Sequence, residues 1–304
     1  MQSEKILVTG GAGFIGSHLV DRLVSQGHQV MVVDNLLSGN KENLNNIENE
    51  NVHYGDIGSE EILKKVKFFN PGICFHLAAQ SSVVISVEDP MLDFDHNILQ
   101  PLQLLKTLLD TDCRKFVFSS SGGTIFGEPD VIPTSEVDFA GEPESPYGIS
   151  KKRLNEFIEL LLGAVPNMTY SILNFSNVYG PRQDPHGEAG VISIFTSKMM
   201  NNSEPTVFGD GEQTRDYIFV QDVIDALLSS SVIEENLFLN IGTGVEISVN
   251  ELVSTLKKTT SYNGDVIYEP KRDGELQRSV LNNSKAKKVL NWQPKYSLES
   301  GIVE

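Results

Sequence analysis

Short apolar runs alternate with amphipathic stretches through the first half of this chain: Ile6-Leu7-Val8, Val30-Met31-Val32-Val33, Val52-His53-Tyr54, Ile73-Cys74-Phe75-His76-Leu77 and Phe116-Val117-Phe118. Runs of that length, spaced by helical patterns, predict a doubly wound α/β fold in which a parallel sheet carries helices on both faces. Beyond Phe175 the rhythm loosens into Gly-, Pro- and Asp-rich loops around 180–190, 209–213 and 270–275. A smaller mixed α/β region is expected there, with one strand returned to the sheet at Leu237-Phe238-Leu239-Asn240. The expected division is a sheet domain over 1–175, with a returning segment at about 215–245, and a substrate-binding region mainly over 176–304.

Two predicted helices, at about 91–110 and 147–162, are apolar on more than one face. The first carries Phe94, Ile98, Leu102, Leu105 and Leu109, the second Leu154, Phe157, Ile158, Leu161 and Leu162. Faces that wide need more than one partner, which predicts packing on the sheet and on a second subunit; deep burial in a monomer is the alternative.

Composition narrows the class. The chain has 304 residues, 39% hydrophobic and 21% charged, as in soluble globular proteins. Its net charge of −17, without a basic cluster, argues against nucleic acid or an anionic membrane as partner. Cys74 and Cys113 both stand by apolar runs and read as buried thiols in a reducing cytosol. No apolar run approaches a membrane span and strand-like residues begin at Lys5, so a cytoplasmic protein is expected, with no metal site.

Candidate chemistry begins at the first strand. Lys5–Thr9 runs into Gly10-Gly11-Ala12-Gly13-Phe14-Ile15-Gly16, and a helical pattern follows from Ser17 to Val24. The spacing is Gly-x-x-Gly-x-x-Gly from Gly10 or Gly-x-Gly-x-x-Gly from Gly11, and either sets backbone amides and a helix N-terminus against a pyrophosphate. Asp34 closes the second strand 24 residues after Gly10, where a carboxylate binds both ribose hydroxyls of a dinucleotide and repels a 2′-phosphate. That favours NAD over NADP. Asp56-Ile57 follows the third strand, where such folds meet the adenine ring, although a turn aspartate after Gly55 fits nearly as well. Ala78-Ala79-Gln80 makes a small-residue turn after the fourth strand, at the carboxyl end where ligands of open parallel sheets lie.

Tyr147 and Lys151 stand four apart behind Ser145-Pro146. An N-cap serine and a proline at the first helical position put Tyr147 in the first turn, where the macrodipole favours an anion. The spacing sets the Lys151 ammonium on the same face. Both effects favour phenolate. A free tyrosine titrates near ~10, so a base working near neutrality needs a drop of about 3 units, or roughly 4 kcal/mol. Alone, an exposed helix start with a solvated lysine accounts for these residues. The fifth strand, however, ends in Ser119-Ser120-Ser121-Gly122-Gly123, so a hydroxyl is available to Tyr147, 26 residues after Ser121.

With these elements in place, the chain resembles the extended short-chain dehydrogenase/reductases. Within them it is similar to the nucleotide-sugar 4-epimerases of the UDP-glucose 4-epimerase type, along essentially its whole length. Asp34-Asn35-Leu36 through Ser38-Gly39, His76 to Gln80, Asn177-Val178-Tyr179-Gly180-Pro181-Arg182, Phe208-Gly209-Asp210-Gly211, Arg215-Asp216-Tyr217 and Asn240 to Gly244 carry the resemblance further. It implies an NAD-binding Rossmann fold, with cofactor contacts from Gly10, Gly13, Phe14, Ile15, Gly16, Asp34, Asn35, Ser38, Gly39, Asp56, Ile57, Leu77, Ala78, Ala79, Gln80, Asn97, Ser119, Tyr147 and Lys151.

The resemblance also implies a catalytic set. Ser121 would bond the sugar O4, Tyr147 would take its proton, and Lys151 would hold the nicotinamide ribose. Hydride would leave C4 for NAD and return to the other face of a 4-keto sugar, so that a UDP-hexose is epimerised at C4. Asn177, Arg215 and Arg272 would anchor the diphosphate, with Glu275 near the uridine ribose and Val191 and Phe208 near the base. Otherwise Arg215 beside Asp216 is a surface ion pair worth little, and Asn177 a turn residue. Ser279 aligns with a position lining the sugar pocket near C2, where a small residue leaves room for an acetamido group.

Relatives that eliminate water or carbon dioxide carry an acid just after the hydroxyl that follows strand five, because a second proton transfer needs a second acid or base. Gly122-Gly123-Thr124 stands there, so epimerisation with one base fits better. The alternatives are a UDP-glucuronate epimerase or a dTDP-sugar dehydratase or reductase of the same fold, and, in another class, a non-catalytic NAD-sensing protein. The chain departs from the family pattern at Phe126, usually tyrosine, and at Asn174-Phe175, usually Arg-Tyr. The paired glycines leave Ser120 as the fallback for Ser121, and Glu304 follows closely on the helix predicted from Leu298, so a short last helix is expected.

Overall fold

The computed structural model describes residues 3–138, 141–185, 190–271 and 276–304. Its first half alternates as expected: Lys5–Thr9 (β1), Phe14–Ser25 (α1), Gln29–Asp34 (β2), Val52–Tyr54 (β3), Glu60–Phe69 (α2), Ile73–His76 (β4), Val83–Glu88 (α3), Pro90–Phe94 (α4), Gln100–Leu108 (α5), Lys115–Ser121 (β5), Pro146–Leu162 (α6) and Thr169–Phe175 (β6). There follow Asn177–Tyr179 (β7), Val191–Met200 (α7), Thr206–Phe208 (β8), Thr214–Arg215 (β9), Tyr217–Phe219 (β10), Val220–Ser231 (α8), Leu237–Ile241 (β11), Ile247–Ser248 (β12), Val249–Thr260 (α9), Ile267–Glu269 (β13), Arg278–Ser279 (β14), Ser284–Leu290 (α10) and Leu298–Val303 (α11).

The main sheet has seven strands in the order β11-β6-β5-β4-β1-β2-β3, and every neighbouring pair is parallel. β11 is the returning strand that the apolar run at 237–240 predicts. Between β1 and β4 the chain order reverses, which opens a crevice at the carboxyl ends of the strands, the usual ligand position in such sheets. The period of two sends successive side chains to opposite faces. Ile6, Val8, Val32 and Phe75 pack with Leu19 and Leu23 of α1, Ile224 and Leu227 of α8, and Leu252 and Leu256 of α9. Leu7, Met31, Cys74, Phe116 and Phe118 pack with Ile62 of α2, Leu104 and Leu105 of α5, and Leu154 and Ile158 of α6. Smaller strand sets, β7 with β10, β9 between β12 and β14, and β8 with β13, make up the mixed second region.

One predicted helix is corrected. The stretch at about 91–110 is α4 and α5 joined by a π turn over Asp95–Leu99, in which the Gln100 amide reaches back to the Asp95 carbonyl. Pro101 has no amide hydrogen to continue an α-helical ladder, and the widened turn absorbs the loss. Cys74 and Cys113 are buried free thiols, and among the described residues no helix is long and apolar enough to cross a membrane.

Candidate active site

The glycine turn is shaped by close backbone approach. A Cβ on Gly10, which has φ +71°, would lie 2.6 Å from the Ala78 nitrogen, and one on Gly16 would lie 2.1 Å from the Gly10 carbonyl oxygen. Only glycine lets β1, β4 and the start of α1 meet so closely. Gly13 caps α1 without a side-chain hydrogen bond, and no acid stands in its first turn. By contrast, Ser59, Ser82, Asp89 and Ser145 cap α2, α3, α4 and α6 with their own oxygens. The amides of Phe14 and Ile15, both partly exposed, are thus left for an external anion, and the turn fits the pyrophosphate of a dinucleotide.

Asp34 ends β2 beside this turn. Its Oδ2 accepts from the Ala12 amide at 2.9 Å and its Oδ1 from the Leu36 amide at 2.8 Å. Burial raises its pKa, and the amides of Leu36, Ala12 and Gly13 oppose the rise. Gly39 lies against the carboxylate, where a Cβ would be 2.7 Å from Oδ1. Asn35 donates to Asp56 Oδ1 at 2.8 Å; both are exposed, as is Ser38, whereas the Ile57 side chain is buried in the core.

On the other side of the crevice, Ser145 Oγ accepts from the Gly148 amide at 3.1 Å and Pro146 opens α6, so Tyr147 lies in the first turn as the sequence predicts. Lys151 is 3% exposed. Its ammonium donates to the Ser119 carbonyl at 3.0 Å, and lies 4.7 Å from the Phe118 ring centroid and 5.9 Å from that of Tyr147. Burial lowers its pKa to about 8, with the charge of Asp93 acting the other way. His76 lies stacked with Phe116 and Phe118 and is held neutral, its pKa lowered to about 3 by burial and then by Lys151. Thr9 Oγ1 accepts from the Ala78 amide at 3.3 Å and shares a hydrogen bond of 2.7 Å with His76 Nδ1. His76 is therefore no proton carrier here.

The three serines closing β5 differ. Ser119 Oγ donates to the His76 carbonyl at 3.3 Å, Ser120 is 4% exposed with no hydrogen-bond partner for its hydroxyl, and Ser121 is partly exposed at the last strand position. Beside Ser120 in register is Asn174, fully buried and bonded to Asn240 Oδ1 at 3.0 Å. An inward polar row thus occupies the place where the resemblance leads one to expect an arginine.

Sequence reasoning missed Asp93. It is fully buried, with Oδ1 accepting from Gln80 Nε2 at 3.0 Å and Asn97 Nδ2 at 2.9 Å, and Oδ2 accepting from Ser150 Oγ. Gln80 and Asn97, placed at the cofactor by the resemblance, spend their side chains here and on backbone, Asn97 on the amide and carbonyl of Gln80 and Gln80 on those of Ser82. Leu77, Ala78 and Ala79 remain partly exposed at the crevice. The signal for Asp93 was its i,i+4 spacing to Asn97 on an otherwise apolar helix face.

In the second region, the Asp216 amide donates to the Ser279 carbonyl at 3.0 Å, and its carbonyl accepts from the Asn177 amide at 2.9 Å. Ser279 pairs in register with Arg215, so Asn177, Arg215 and Ser279 gather around one residue. The Asp216 side chain turns inward and holds Thr243, Gly244 and Leu281. Val191 opens α7 and Phe208 closes β8, both partly exposed. Arg272 and Glu275 lie outside the described residues. Among those described, no group of His, Cys, Asp or Glu is arranged to hold a metal ion.

Three comparisons match this arrangement. The family model for GDP-mannose 4,6 dehydratase matches residues 7–304. A putative UDP-glucose 4-epimerase of Methanocaldococcus jannaschii is 46% identical, covering 98% of this chain and 95% of its own length. The crystal structure of UDP-glucose 4-epimerase from Thermotoga maritima with UDP-glucose superposes with TM-score 0.94 at 45% identity, over 98% of this chain and 96% of that one. That of Thermus thermophilus UDP-glucose 4-epimerase with NAD superposes with TM-score 0.90 at 37% identity, over the same shares of the two chains.

Proposed function

The chain belongs to the family of NAD-dependent nucleotide-sugar epimerases and dehydratases, and on that premise we propose that it interconverts UDP-hexoses at C4 by epimerisation. Two half-sites meet at one end of the sheet, and this meeting supports the reaction: an uncapped α1 after β1, and Lys151 tied to the end of β5. The turn from Gly10 to Gly16, through the Phe14 and Ile15 amides, would hold the pyrophosphate of NAD and Asp34 its adenosine ribose, with the exposed Asp56 and the backbone of Ile57 toward the adenine, since the Ile57 side chain is taken up by the core.

Tyr147 removes the proton of the sugar C4 hydroxyl and returns it after the sugar has turned. Ser121 holds that oxygen; it is partly exposed, whereas Ser120 is sealed and the Ser119 hydroxyl is given to the His76 carbonyl. Lys151 keeps a positive charge beneath the phenol and favours its anion. Bound NAD supplies the hydride acceptor and donor at C4, so the cycle ends without net redox change. Elimination lacks its second proton carrier: Gly122 and Gly123 stand where an acid is needed, and a Cβ on Gly123 would find nothing within 4 Å.

Residues 176–304 supply most sugar-nucleotide contacts, with Asn177, Arg215 and Arg272 on the diphosphate, Glu275 on the uridine ribose, and Val191 and Phe208 beside the base. Ser279, small and next to Arg215, leaves room for an acetamido group, so UDP-N-acetylhexosamines are accepted beside plain hexoses. The active form is a homodimer, since α3, α4 and α6 pack together and expose Val84, Val87, Met91, Phe94 and Leu160. Two free thiols suit a cytoplasmic setting. Incubating the protein with UDP-hexoses, UDP-glucuronate and dTDP-glucose, without added reductant, tests the proposal. Conversion of UDP-galactose to UDP-glucose is expected; turnover of the uronate alone, or loss of water from dTDP-glucose, would oppose it.

A further inference from the structure

Resting on that reading, we propose that Asp93 is a positioning residue of the same site: a buried counter-charge that keeps Lys151 a cation throughout the reaction. Asp93 is fully buried, and its three donors, Gln80 Nε2, Asn97 Nδ2 and Ser150 Oγ, are all neutral. Such donors stabilise a carboxylate without cancelling its charge, so its field reaches beyond them. The nearest use for that field is next along α6, because Ser150 precedes Lys151 and ties α4 to α6.

Charge balance gives the pairing its purpose. In the proposed reaction the negative charge that the Tyr147 phenolate loses on taking a proton would be matched by the positive charge that bound NAD would give up as hydride acceptor. The charge of Lys151 is left over at every stage. In a buried site an uncompensated ammonium gives up its proton, and a cationic ring nearby makes that easier.

Other groups around Lys151 are committed elsewhere. His76 on β4 is neutral, Asp95 in the π turn accepts from Gln100 Nε2 at 2.7 Å, and Asp89 caps α4 at the Leu92 amide at 3.0 Å. On α3, Glu88 is exposed, and Asp56 is exposed beside Asn35. Lys152 pairs with Glu142 at 3.0 Å. The charge of Asp93 opposes the effect of burial on Lys151.

The test uses the NAD-loaded enzyme and the Asp93→Asn variant. Removing the negative charge lets Lys151 deprotonate sooner, so the alkaline limb of kcat against pH should move down by roughly 1–3 pH units, with KM for UDP-galactose held within about twofold. A variant that loses kcat equally at all pH values, with the limb unmoved, overturns the proposal. Should Asp93→Asn not fold, melting temperatures at pH 8 decide. Lys151→Met strands the carboxylate and should melt below native, and Lys151→Met with Asp93→Asn should melt above Lys151→Met alone; a double variant that melts no higher overturns the proposal. If the native enzyme turns over no UDP-hexose, the proposed reaction has failed, and the melting comparison still settles the pairing.

Discussion

The Lys151 ammonium donates to the Ser119 carbonyl at 3.0 Å, which ties the first turns of α6 to the carboxyl end of β5. Tyr147 lies one turn before Lys151 and Ser121 two residues beyond Ser119, so the proposed base and the hydroxyl that orients its substrate belong to one fastened unit. Tyr147→Phe should lower kcat by about 10²–10⁴-fold while leaving copurified NAD and melting temperature unchanged. Retained activity would remove Tyr147 from the role of base.

The glycine turn makes a contrasting pair of predictions. A methyl group at Gly16 would meet the Gly10 carbonyl oxygen at 2.1 Å, so Gly16→Ala should cost about 1–3 kcal/mol in denaturant unfolding and lose bound NAD. At Gly123 nothing lies within 4 Å, so Gly123→Ala should change stability by no more than about 0.5 kcal/mol. Equal costs at the two sites would contradict the packing described.

Lys115 offers a pH test independent of activity. The residue is 2% exposed, its ammonium donates to the carbonyls of Ile233 at 2.7 Å, Glu235 at 3.1 Å and Tyr170 at 3.4 Å, and burial lowers its pKa to about 8. The unfolded amine titrates near ~10.4, so between the two values the unfolded chain binds the extra proton and stability rises with pH. Below that window both states are protonated and the burial penalty is at its full size. Native stability measured against Lys115→Met should therefore grow across that window; a flat difference would contradict it.

Leu160 on α6 is 73% exposed, Met91 and Phe94 of α4 are exposed too, and α4 and α6 are in contact. Leu160→Asp should convert a dimer to monomer in sedimentation at micromolar concentration. An unchanged dimer would place the interface elsewhere.

The sequence made visible whatever depended on near neighbours. The Gly10–Gly16 turn, the Ser145 cap and the i,i+4 pair of Tyr147 and Lys151 are fixed by spacing, and the structure forms each where predicted. Asp93 offered one local signal, Asn97 four positions on, but its other partners, Gln80 and Ser150, stand 13 and 57 positions away. Packing alone brings them together, and the π turn that helps has no spacing signature beyond Pro101. Asp216 was equally opaque: adjacency suggested an ion pair with Arg215, yet its carboxylate is buried on the Thr243 amide and hydroxyl, the Gly244 amide and the Leu281 amide.

Epimerisation at C4 without net redox change is tested most directly with UDP-galactose deuterated at C4 and the enzyme as purified, with its own NAD. The account predicts UDP-glucose that retains deuterium at C4, with no NADH accumulating. Loss of the label to water, or stoichiometric accumulation of reduced cofactor, would contradict it.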